Sequence, residues 1–163
     1  MIELEAQLWI LLDVAIAGLL SGLVGLEREF SRKPAGLRTQ MIIGAAAALF
    51  VLLGTVAINQ YFEGVPDNVN ITPDPIRIFE AIVVGVSFIG AGTIMQSRRD
   101  GRVTYLTTAA SLLISAGIGM SIGFHLYYLG AGLAVFAFFI NYVMGQVEKK
   151  VLETKGKGNR ESG

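Results

Sequence analysis

Gly25-Leu-Glu-Arg-Glu-Phe-Ser-Arg-Lys-Pro-Ala-Gly-Leu-Arg-Thr39 lies between two apolar stretches, each long enough to cross a bilayer. Glu27 and Glu29 contribute two acids; Arg28, Arg32, Lys33 and Arg38 contribute four bases. Charge this dense between two hydrophobic segments marks a membrane hairpin, with its loop held at one aqueous face. Pro34-Ala-Gly36 supplies the turn.

Working outward, five spans of roughly 20 residues can be read. They cover Leu8–Leu26, Gln40–Ile58, Arg77–Met95, Thr107–Phe124 and Leu126–Met144. The third follows Pro73 and Pro75, which suit a helix start. The last two are separated only by Gly123-Phe-His125, so that turn must be tight. A four-span reading, with the last stretch re-entrant, is the alternative.

The distribution of bases decides between them. Besides the first loop, bases fall at Arg98, Arg99 and Arg102 and at Lys149, Lys150, Lys155, Lys157 and Arg160. The N-terminus, the loop 59–76 and the turn at His125 have none; only Arg77 stands at the opposite side. Five spans with the N-terminus outside and the C-terminus cytoplasmic satisfy every loop. The expectation is an all-α membrane protein, a five-helix bundle over residues 1–146. A short basic tail, 147–163, follows and is expected to be largely disordered, with Val147–Leu152 continuing the last helix and disorder from Gly156 onward.

Composition agrees: 53% of the 163 residues are hydrophobic and only 16% are charged, in a few clusters. The formal net charge of zero does not point to nucleic acid. With no cysteine and the single histidine His125, thiolate and histidine-rich metal sites are excluded within one chain. Glu3 and Glu5 precede the first span and no base does, which reads as a retained span, not a signal peptide. The motifs of nucleophile elbows, phosphate loops and dinucleotide folds are missing, so neither an enzyme nor a cofactor is expected.

Small residues recur at packing intervals. Gly18, Gly22 and Gly25 lie near one face of the first span; Gly85, Ser87, Gly90, Ala91 and Gly92 crowd the third; Gly119 and Gly123 form another pair. Such faces let helix backbones approach closely in lipid, and they make a homodimer or higher oligomer plausible. Gly90-Ala-Gly92 has a second possible use, bending the backbone open toward an ion.

Asp13 lies inside the first span, where an ionisable residue costs about 2.5 to 3.5 kcal/mol. Its expected partner is Arg77, with Glu80 one turn further along the third span. The three form either a structural ion pair or a cation or proton site. Asp13 and Glu27 are separated by close to four helical turns and so share an edge of one helix. Glu27, Arg28 and Glu29 are expected to meet Arg38 across the loop. Thr107 or Thr108 is expected to cap the fourth span.

Four blocks carry a family resemblance: Asp13 to Gly25-Leu-Glu-Arg-Glu29, Lys33-Pro-Ala-Gly-Leu-Arg-Thr39, Ser87-Phe-Ile-Gly-Ala-Gly-Thr93 and Leu106-Thr-Thr-Ala-Ala-Ser-Leu112. In this order they resemble the MgtC/SapB family of bacterial inner-membrane proteins. Tyr105 stands where many relatives have glycine, and Ser87 also replaces a glycine. The stretch after Met144 is too short for the ACT-like cytoplasmic domain of longer members. The resemblance implies adaptation to low magnesium, acid stress or life inside host cells. It implies restraint of other membrane proteins, ATP synthase among them, in preference to magnesium transport. It also carries site roles onto Asp13, Glu27, Arg28, Glu29, Arg38, Thr107 and Thr108. A small ion or solute transporter using Asp13 and Glu80 is the rival reading.

Overall fold

The computed structural model describes residues 3–31, 33–62, 74–96 and 105–158. They form α1 (Leu4–Phe30), α2 (Leu37–Phe62), α3 (Ile76–Gln96), α4 (Leu106–Gly123) and α5 (Tyr127–Gly158). Every expected span falls on one of these helices, and all five are long and apolar enough to cross a membrane. The chain is a multi-pass membrane protein.

The short fourth helix is the axis of the bundle. It packs against α1, α2, α3 and α5, whereas α3 touches only α2 and α4 among the described residues. Its buried positions, from Thr108 through Leu112, Ser115, Ala116, Ile118 and Ile122, run around its circumference. A helix enclosed by its neighbours needs no solvent-facing polar side, and the side chains of Thr108, Ser111, Ser115 and Ser121 on α4 are buried. By contrast, α3 and α5 expose Val84, Phe88, Phe136 and Phe139, the apolar surface expected toward lipid.

Close approach is concentrated where α1, α2 and α4 meet. A methyl group at Gly25 would come 2.6 Å from Cα of Leu37, and one at Gly22 would come 3.0 Å from Met41. A methyl group at Gly119 would collide with the Gly44 carbonyl oxygen. Gly18 has an ordinary neighbour, Ala45, whereas a methyl group at Gly90 would come a tight 3.2 Å from Cβ of Ala109. The packing role expected for Gly92 is not seen within one chain: nothing lies within 4 Å of a Cβ there, because α3 is at the bundle edge. Nor does Gly90-Ala-Gly92 interrupt the helix, which is continuous from Ile76 to Gln96.

Two boundaries differ from expectation. The last helix runs through the expected continuation at Val147–Leu152 and on to Gly158. Gln146, Glu148, Lys149, Lys150, Leu152 and Lys155 all favour helix, so nothing local stops it at Met144. At the start of α4, Tyr105 is the N-cap, with φ 67°, and no side chain caps the helix. Arg32, Arg98, Arg99, Arg102 and Arg160 lie outside the described residues.

Candidate functional site: a buried polar clasp and two intramembrane acids

The charged loop folds back into the bundle. Arg28, on the last turn of α1, is 1% exposed. Its Nε and Nη2 donate to the Pro34 carbonyl at 3.2 and 3.0 Å. Nη2 also donates to Thr108 Oγ1 on the first turn of α4. One guanidinium thus joins the end of α1, the loop and the start of α4. Its Nη1 has no hydrogen-bond partner. Thr108, expected as a cap, instead accepts this bond, while Thr107 faces outward.

Gln40 continues the clasp on α2 and is fully buried. Its Nε2 donates to the Ala35 carbonyl at 3.2 Å and to Ser111 Oγ at 2.8 Å. Its Oε1 accepts from Ser115 Oγ at 2.7 Å. Ser111 donates in turn to the Thr108 carbonyl at 2.8 Å, and Ser21 of α1 to the Ser115 carbonyl at 3.3 Å. Every partner is supplied from within, as the lipid interior requires.

Glu29 closes the loop from outside. Its Oε2 accepts the Leu37 backbone N–H at 3.1 Å and so caps α2. Gly36 makes this possible, since any Cβ there would collide with that carboxylate. The expected meeting of Glu27, Arg28 and Glu29 with Arg38 does not form. Arg38 is exposed and makes no ion pair among the described residues. Each of the other three has found a nearer partner.

Glu27 turns toward α5. Its Oε1 accepts from Ser31 Oγ at 2.7 Å and from Lys33 Nζ at 3.5 Å, and Oε2 is buried without a partner. At the other end of α1, Asp13 is 4% exposed. Its Oδ1 accepts from the Tyr127 hydroxyl at 2.9 Å; its Oδ2 lies 3.3 Å from His125 Nδ1. Both acids therefore occupy the α1 edge that meets α5, as the fourteen-residue spacing suggests. The partner expected for Asp13 is wrong. Arg77 is solvent-exposed and pairs with Asp74, three positions earlier, at 3.5 Å, and Glu80 is exposed on α3. The reason is topological: α1 and α3 do not touch, and the turn before α5 passes over Asp13 instead.

Sequence reasoning gives no site role to Gln40, Ser21, Ser111 or Tyr127, and reads His125 only as part of a turn. Gln40 was the findable one: an uncharged amide at the start of an apolar span requires partners once it is buried. Among the described residues no group of three or more His, Asp or Glu is placed to hold a metal ion.

The family model described as the MgtC family matches residues 14–150. YhiD of Escherichia coli strain K12 is 34% identical over 142 residues, 87% of this chain and 63% of that protein. SapB of Bacillus subtilis strain 168 is 37% identical over 118 residues, 72% of this chain and 49% of SapB. MgtC of Salmonella typhimurium strain LT2 is 39% identical over 114 residues, 69% of this chain and 42% of MgtC. The chain spans less than two thirds of the length of each of these relatives. No solved structure matches it significantly.

Proposed function

The chain belongs to the MgtC family, and from that premise we propose that it acts as a regulator in the bacterial inner membrane. In this reading it serves adaptation to low magnesium or acid by docking on partner membrane proteins. The carrying observation is the clasp. Arg28 ties the charged loop rigidly to α4, which leaves Arg38 exposed on a fixed surface. A preorganised charged face loses little entropy on docking. The positive-inside distribution of bases supports a cytoplasmic position for it. Photo-crosslinking from position 38 in intact membranes is the test. The same heterologous membrane protein should be captured from wild type and lost in Arg28→Ala. Capture of copies of this chain alone would sink the reading.

A second reading, an ion or solute transporter, is favoured by the buried Asp13 with its Tyr127 and His125 partners. The name of YhiD proposes magnesium transport for that relative. Against it, buried Ala17, Ser21 and Val24 stand between Asp13 and Glu27 along α1. Flux into proteoliposomes that depends on Asp13, and is abolished in Asp13→Asn, would establish this alternative.

A further inference from the structure

Between the end of α1 and α5 lies a cleft of about 330 Å³, lined by Glu27, Phe30, Ser31, Phe138, Tyr142 and Gln146. The volume is that of a site for a small ligand. Its walls are largely aromatic; the Phe138 and Tyr142 rings are stacked, with centroids 6.2 Å apart and planes 13° apart. Its one acid is Glu27, 9% exposed, whose Oε1 is occupied by Ser31 and Lys33 and whose Oε2 has no partner. Gly145 keeps the cleft open to that carboxylate, since a side chain there would begin 3.3 Å from Oε1.

From these features we infer that the cleft binds the ammonium group of an organic amine, with Glu27 Oε2 accepting an N–H and the rings packing on the cation. A buried carboxylate oxygen without a donor is costly, and a charge-assisted bond relieves that cost. Aromatic faces attract an ammonium group, most strongly where water is scarce. A bare divalent ion fits poorly, since it seeks six or more oxygens and the cleft has one carboxylate. Interfacial aromatics are common as simple membrane anchors. Anchoring, however, does not account for a buried carboxylate oxygen without a partner. The amine can belong to an ethanolamine headgroup or to a soluble molecule. This binding does not depend on the docking role of the loop.

The test uses the full chain in detergent, measuring retained phosphatidylethanolamine by native mass spectrometry and putrescine affinity by calorimetry. Phosphatidylcholine and phosphatidylglycerol serve as comparison lipids. Phosphatidylethanolamine should be retained over both, because the first lacks an N–H and the second lacks a cation. Retention of the lipid without putrescine binding assigns the site to a headgroup, and putrescine binding without lipid preference assigns it to a soluble amine. Glu27→Gln should weaken whichever probe binds by about tenfold or more, the loss of one charge-assisted bond. Tyr142→Leu, which keeps the apolar wall, should weaken it about threefold. Equal retention of all three lipids together with no putrescine binding overturns the inference, as does unchanged binding in both variants.

Discussion

Arg28 and Thr108 are eighty positions apart in the chain and share a hydrogen bond inside the bundle, where the end of α1 meets the start of α4. The same guanidinium holds the Pro34 carbonyl, so one side chain fixes two helix ends and a loop. Removing it orphans both acceptors and leaves a cavity. Arg28→Ala should cost about 2–4 kcal/mol, seen as a lowered melting temperature in detergent. Arg28→Lys should recover only part of this, because a single ammonium does not reproduce the fork. Unfolding of Arg28→Ala at the wild-type temperature would show that the clasp carries no stability.

Gln40 and Ser115 form the inner half of the clasp. Interhelical hydrogen bonds in membrane proteins couple by about 0.6 kcal/mol on average and reach about 1.7. Gln40→Leu and Ser115→Ala should each destabilise, and the double variant should lose less than the two losses added. A coupling in that range is expected from a double-mutant cycle; strict additivity would mean that the bond contributes nothing.

These two bonds also mark where the sequence stops being readable. The five helices follow from apolar runs and the distribution of bases, both local properties. The Asp13–Glu27 edge follows from helical periodicity along one segment. The partners do not follow. Asp13 was paired with Arg77 by charge alone, but charge complementarity says nothing about which helices touch. In the fold a neutral tyrosine hydroxyl and the turn histidine take that place. Gln40 is conspicuous by residue type, but its partners Ser111 and Ser115 lie 71 and 75 residues away. Only packing around α4 brings them together.

Tyr105 adopts a left-handed backbone, φ 67°, immediately before α4. This is the position at which the resemblance to the family predicts glycine. A side chain with φ in that region costs about 1–2 kcal/mol, and glycine avoids that cost. The Tyr105 ring is exposed, so little packing is lost with it. Tyr105→Gly should therefore raise the melting temperature, with a gain near 1 kcal/mol after the greater flexibility of the unfolded chain is counted. Tyr105→Ala should be close to neutral or worse, because the left-handed strain remains. A gain from alanine equal to that from glycine would place the benefit in the ring and not in the backbone.

Gly25 and Gly92 look alike in sequence, each within a small-residue run, yet the fold predicts opposite responses to one methyl group. At Gly25 the methyl would meet the backbone of Leu37 at 2.6 Å, which can relieve the clash only by shifting the whole of α2. Gly25→Ala should destabilise by about 1–3 kcal/mol. At Gly92 a methyl meets nothing within 4 Å, and alanine is the better helix former. Gly92→Ala should be neutral or stabilising by up to about 1 kcal/mol in the isolated chain. The second substitution also tests self-association, which the small-residue face of α3 led us to expect. If a second copy packs on that face, the methyl enters the interface. Gly92→Ala would then lower the oligomer fraction measured by light scattering in detergent, while Gly25→Ala would lower stability at every protein concentration. A Gly92→Ala variant with wild-type stability and wild-type mass in solution removes this part of α3 from any such interface.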